Sequence, residues 1–288
     1  MSNSLLVLHA VSAHMLSAPV RGRLLDALFD KQGGTPEGIA IDYVNSHVYW
    51  TNTGADWSKN DGFIERADFD GANRKVIVPK GATYTPKQMQ LDVDAGLIYW
   101  CDREGMRVMR SRLDGSDVTV LVQTGVTQSD RADERNHCAG IALDRHGGQI
   151  FWTQMGPAKG GRGRIFSAPM DLPKGMNPAR RTDLRVLLDN LPEPIDLEWD
   201  VASNALYWTD RGSMSQGSTL NRCRFTNGIP GKIETLLSDL QEGIDLALDT
   251  AHDEVILSDL GGILRTAVLS GTSQPRIIRP GIPMSSLS

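Results

Sequence analysis

Five short runs of this 288-residue chain end in Asp, and their polar side chains recur at matched places: GIAID at 38–42, QMQLD at 88–92, GIALD at 140–144, DLEWD at 196–200 and DLALD at 245–249. Apolar residues fill every second place in each run, as in Ile39 and Ile41 or Leu246 and Leu248, which is the period of a pleated strand. The places between them vary. They hold Gly38 and Ala40 in one run and Gly140 and Ala142 in another, but Gln88 with Gln90, Asp196 with Glu198, and Asp245 with Ala247 in the rest. Alternate residues leave a strand on one face, so strands aligned in this register would gather amides and carboxyls. A confined carboxyl pairs, raises its pKa or binds a cation. The chemistry open to such a group is acid or base catalysis, polarisation of a substrate carbonyl, or capture of a hard cation. The plainer outcome is a set of ordinary paired side chains around water.

The elements that must position these residues form a repeat. A tetrapeptide follows each run: Tyr49-Trp50-Thr51-Asn52, Tyr99-Trp100-Cys101-Asp102, Phe151-Trp152-Thr153-Gln154, Tyr207-Trp208-Thr209-Asp210 and the degenerate Ile256-Leu257-Ser258-Asp259. The copies lie about fifty residues apart, a period that means repeated structural units. Third runs at 63–69, 107–113 and 220–226 stop at Asp70-Gly71, Asp114-Gly115 and Asn227-Gly228, dipeptides suited to tight hairpins. Fourth runs follow at 75–78, 119–122, 185–188, 234–237 and 276–278. Four antiparallel strands per repeat is the plan of a propeller blade.

On these motifs the chain resembles the YWTD family of six-bladed β-propellers, known from the ectodomains of low-density-lipoprotein-receptor relatives. The resemblance covers nearly the whole chain and implies an all-β, single-domain fold over residues 1–288. Five complete units begin at Glu37, Lys87, Cys138, Pro194 and Gly243. A sixth blade is expected from both ends, with strands at 5–9, 15–20 and 23–29 closed by a fourth at 282–287, which would leave no free sheet edge. The aromatic pair of each motif suits sheets packed face to face. The family implies that the motif's fourth residue ties one blade to the next.

Net charge is −5 and the isoelectric point is near 5.7, which argues against a nucleic-acid partner. The apolar run at 5–8 is too short for a signal or a membrane span. Three cysteines, Cys101, Cys138 and Cys223, show no disulfide pattern, so a cytoplasmic protein with no membrane partner is expected. No Gly-rich loop joins a strand to a helix and no HExxH or CxxC occurs, so neither a cofactor nor a metal is expected. The stretch GPAKGGRG at 156–163 reads as an inter-strand loop or an anion cradle.

In a propeller the loops entering the innermost strands crowd one mouth of the central channel. Gln88, His137, Asp196 and Asp245 are the expected catalytic residues there. Glu37, Trp57, Tyr84, Met155, Met214 and Glu242 are the expected substrate-binding residues. The long loop 123–140 reads as a lid or a solvated turn, while His47, His146 and His252 fall in turns at the opposite end. Three functions remain open. One is an enzyme acting on a polycyclic, polyketide or terpenoid-like small molecule, such as a hetero-Diels-Alder cyclase of secondary metabolism, which the resemblance suggests. The others are a lactonase-like hydrolase with a cation on Glu37, Asp196 and Asp245, and a protein-binding scaffold.

Overall fold

Each Asp-ended run is a strand, and each pairs antiparallel with the motif strand after it. The register repeats: Ile39 faces Trp50, Met89 faces Trp100, Ile141 faces Trp152, Leu197 faces Trp208 and Leu246 faces Leu257. The structure is a computed structural model that describes residues 4–9, 14–19, 26–29, 34–212, 217–262, 264–269 and 276–279. Third and fourth strands complete five four-stranded sheets, each running in chain order. The first strands are Pro36–Asp42, Pro86–Asp92, Cys138–Asp144, Pro194–Asp200 and Gly243–Asp249.

Five such sheets are present among the described residues, not the six expected. The N-terminal strands Ser4–His9, His14–Pro19 and Asp26–Phe29 form a sheet of three. The closing strand expected at 282–287 lies outside the described residues. Fourth strands run longer than their apolar cores suggested, as in Ile229–Leu237, because the two-residue turn Asn227-Gly228 starts the return strand at once. Asn227 and Gly228 both have positive φ, the backbone that a tight hairpin turn demands.

The described residues up to Val126 form one compact unit and those from Thr127 a second. In each, the motif aromatics face opposite ways because neighbours in a strand alternate sides. Tyr49 packs with Met89, Leu91 and Trp100 of the following sheet, while Trp50 packs with Met15 of the preceding one. In the second unit Tyr207 joins Leu246, Val255 and Leu257, and Trp208 joins Phe151, Ile165 and Leu191. One aromatic pair thus serves both faces of its sheet, and removing such a ring costs about 3–5 kcal/mol.

First strands break register near their starts, between Pro36 and Ile39, Cys138 and Ile141, and Pro194 and Leu197. An irregularity of this kind releases backbone N–H groups from the ladder. The motif threonine takes them up. Thr51 Oγ1 accepts from Gly38 N at 2.8 Å and donates to Lys87 O at 2.8 Å on the next sheet. Thr153 does the same between Gly140 N and Ile195 O, and Thr209 between Asp196 N and Ile244 O. Gly38 and Gly140 are needed at these crossings, since a Cβ would lie 2.6 Å from Lys87 O or 2.2 Å from Ile195 O.

The fourth motif residue holds the connection between sheets. Asp102 accepts from the N–H groups of Tyr84 and Thr85, Asp210 from Glu193 N and Asp259 from Gln241 N. Each acceptor fixes the segment just before its own first strand.

Candidate active site

In the second unit, Asp196 and Asp245 meet at the starts of neighbouring first strands. Asp196 is 4% exposed, its Oδ2 accepts from Leu246 N at 3.0 Å, and its carboxyl stands close enough to that of Asp245 for the two to interact. Two neighbouring carboxylates repel, which favours a proton on one of them. Burial first, then the charges of Asp245 and Glu198, push the Asp196 carboxyl well above the ordinary range. Asp245 and Glu198 are half-buried, which opens the pair toward solvent on one side. On the other side of Asp196, Gly140 lets the preceding first strand come close: a Cβ there would lie 2.7 Å from Asp196 Cα.

The connections around this pair carry further charge. Glu193, buried, pairs with Arg211 at 2.6 Å, and Glu242 pairs with Lys159 at 2.9 Å, which holds the Glu242 carboxyl below its usual range. Asp210, whose carboxyl accepts from Glu193 N, is pushed up to about 7, chiefly by burial. His137 is buried, with Nε2 2.9 Å from Arg131 O. Met155 is buried against Ala139 and Ile195, so it lines the backbone beside Gly140 and Asp196. Met214 lies outside the described residues.

The loop that ends at His137 is built, not loose. Its helix Gln128–Arg131 starts at a capping box of Thr127 and Asp130, and Asn136 Nδ2 donates to Asp130 O. The charged middle stays on the surface, where Arg135 pairs with Asp133 and holds its carboxyl at about 2.

In the first unit, Glu37, Trp57, Tyr84 and Gln88 form their own group. Lys87 Nζ lies 2.6 Å from Glu37 and 4.7 Å from the centre of the Trp57 ring, and Arg103 stands 5.9 Å from the same ring. Trp57 is nevertheless 47% exposed. The Tyr84 hydroxyl donates to Ser58 O, which pins the Trp57 loop. Gln88 is buried, its Cα beneath Gly38. Lys87 and Arg103 escaped the sequence reading, although Lys87 immediately precedes Gln88. The 156–163 stretch, read as an inter-strand loop or an anion cradle, is a loop between strands, and the anions near Lys159 are the chain's own glutamates.

Among the described residues no three His, Cys, Asp or Glu side chains gather as a metal site, and no helix is long and apolar enough to cross a membrane. Cys101, Cys138 and Cys223 are buried free thiols. His47 and His252 pair with Asp68 and Asp249, away from the first-strand starts.

Four-stranded antiparallel sheets repeated on a YWTD-like tetrapeptide, with polar groups collected at the starts of the first strands, define a β-propeller of the YWTD type. The chain is 41% identical over 269 residues to the low-density lipoprotein receptor-related protein 1 of Pyricularia oryzae, a match that spans 89% of this chain and 86% of that protein. It belongs to that family. It is also 36% identical over 277 residues to the 3-hydroxyacyl-CoA dehydrogenase-like protein LAM1 of Cochliobolus heterostrophus, spanning 90% of this chain but only 58% of LAM1. Among solved structures, a chain of a nidogen/laminin complex matches over 95% of this chain and 91% of its own with a TM-score of 0.71 at 21% identity, a likeness of fold. No family model matches.

Proposed function

We propose that the chain is a small-molecule enzyme that works without a redox cofactor, as a cyclase of the hetero-Diels-Alder type, and that the Asp196 and Asp245 pair donates a hydrogen bond to a substrate carbonyl. The observation that carries this reading is the buried Asp196 carboxyl set beside that of Asp245, whose neutral form burial and the neighbouring charges favour. A carboxylic acid kept neutral near pH 7 is a strong donor, and it strengthens its hold as negative charge builds on a carbonyl oxygen. Positioning of the reacting groups then supplies much of the rest, with roughly 7–11 kcal/mol as an upper range. Glu198 beside the pair disfavours an anionic substrate group, so a neutral, conjugated carbonyl compound is the proposed class. Gln88, by contrast, is retained as a polarising residue of the first unit.

The name of LAM1 invites a dinucleotide enzyme, yet the Gly-rich loop of this chain joins the strands Gln149–Gln154 and Gly163–Pro169, and carboxylates of the chain itself occupy two of its amides. The three buried free thiols suit a reducing compartment such as the cytoplasm. Closure of a six-bladed ring by residues 282–287 belongs to the same proposal. The test is turnover of enone and heterodiene substrates by the wild type and by Asp196→Ala and Asp245→Ala. A loss of about tenfold to a thousandfold in folded variants supports the reading, as for loss of one transition-state hydrogen bond. Equal rates overturn it.

The receptor name of the Pyricularia relative and the exposed, cation-flanked Trp57 favour a second reading, a protein-binding surface. Wild-type rates in both Asp variants, together with loss of partner capture in Trp57→Ala, would move the conclusion there.

A further inference from the structure

The glycine-rich loop 156–163 does not extend freely into solvent. Its two ends pack on the segment leading to Asp196: Met155 lies against Ile195, and a Cβ on Gly163 would sit 2.1 Å from Pro194 Cδ. Its middle is held by three glutamates, one from the approach to each first strand of the second unit. Ala158 N donates to Glu134 at 3.2 Å, Lys159 N donates to Glu193 at 3.0 Å, and Lys159 Nζ reaches Glu242 at 2.9 Å. Gly161 N adds a bond to Pro192 O. Gly156, Lys159 and Gly161 all have positive φ, so the loop is folded back on itself at three points.

These contacts are unequal. Glu193 is buried and doubly engaged, by the Lys159 amide and by Arg211, and forms a fixed anchor. Lys159 and Glu242 are largely exposed, with side chains 49% and 35% accessible, so their ion pair is the weak link. Glu193 and Glu242 stand three residues before Asp196 and Asp245, about 10 Å of extended chain. The loop therefore crosses the approaches to both strands that carry the carboxyl pair.

We infer that the 156–163 loop is a strap over the Asp196 and Asp245 pair, with Lys159 and Glu242 as its latch and Glu193 as its hinge-side anchor. The inference rests on the proposed role of the pair as the reactive group. Release of the latch lets the strap lift from the Glu242 side while Met155 and Gly163 keep it seated, and a substrate enters beneath it. An exposed ion pair of this kind, with Arg211 standing only at 3.9 Å from Glu242 as a second cation, breaks and re-forms readily, which suits a gate better than a structural tie.

Two readouts that use no substrate test the strap. Hydrogen exchange of the 156–163 segment reports loop opening, and carbodiimide coupling of benzhydrazide to Asp196 and Asp245, read by mass spectrometry against the exposed Asp239, reports access to the pair. Lys159→Ala and Glu242→Gln should each speed exchange and raise coupling at Asp196 and Asp245 several-fold, with Asp239 unchanged. The charge swap Lys159→Glu with Glu242→Lys should bring both back part of the way toward wild type, Arg211 then facing a like charge at position 242. Faster exchange with unchanged coupling makes the loop a surface tie and overturns the gate. Unchanged exchange overturns the latch. Turnover enters neither readout, so an inactive pair would leave the strap standing and a failed strap would leave the pair's chemistry intact.

Discussion

Asp196 and Asp210 are both carboxyls whose burial favours the neutral form, and this sets how stability should respond to pH. For Asp210 the folded-state value is about 7, against 3.8 for the unfolded group. Between those limits the folded state holds more protons than the unfolded one. Stability must fall as pH rises through that window and level off above it. Asp210→Asn keeps an acceptor for Glu193 N and has no proton to lose. Chemical denaturation across pH 4 to 7 should therefore show a shallower decline in the variant, and an unchanged slope would contradict the assignment. That two carboxyls stand near each other was legible from the strand period. That the neutral form of Asp196 is favoured was not, because it depends on burial and on the neighbouring charges of Asp245 and Glu198, which a period does not encode. Lys87 was hidden because it reaches Glu37 and Trp57 from the next sheet.

At the scale of elements, the motif threonine links the strand pattern to sheet packing. Its aromatic neighbours were readable as core residues from alternation alone. The threonine's role was not, since the released N–H groups appear only once the first strand breaks register. Thr153→Val removes the acceptor for Gly140 N and the donor to Ile195 O while keeping the shape, so it should cost about 1–3 kcal/mol, with Thr153→Ser recovering much of it. Gly140→Ala should be as damaging, about 1–3 kcal/mol or more, because its methyl meets backbone, which cannot swing aside. Urea denaturation checks both, and wild-type midpoints would contradict the bridging role. The five motif copies fixed which strands pair and in what register. The convergence of Glu134, Glu193 and Glu242 on one loop came from three separate connections, whose lengths follow no repeat.

For the whole molecule, the N-terminal strands cover apolar surface of the first full sheet: Met15, Leu6 and Leu8 pack with Val48, Trp50 and Ala67. Deleting residues 1–11 removes Ser4–His9 and uncovers part of that face. Thermal denaturation should then begin earlier, with Tm lower by about 5 °C or more for a chain of this size. A truncated protein that melts with the intact one would remove the N-terminal sheet from the cooperative structure. The repeat number was legible to within one sheet, and the shortfall lies at the ends, where the motif is absent.

The proton proposed for the Asp196 and Asp245 pair can be sought without any substrate. Infrared difference spectra between wild type and Asp196→Asn at pH 7, with aspartate carboxyls carrying ¹³C, separate the protonated C=O stretch from the ionised carboxylate bands. A protonated carboxyl band that is smaller in Asp196→Asn than in the wild type, the remainder belonging to Asp210, and that is insensitive to chelators is the expected result. Protonated carboxyl intensity that is equal in wild type and Asp196→Asn would contradict the neutral donor on which the proposed chemistry depends.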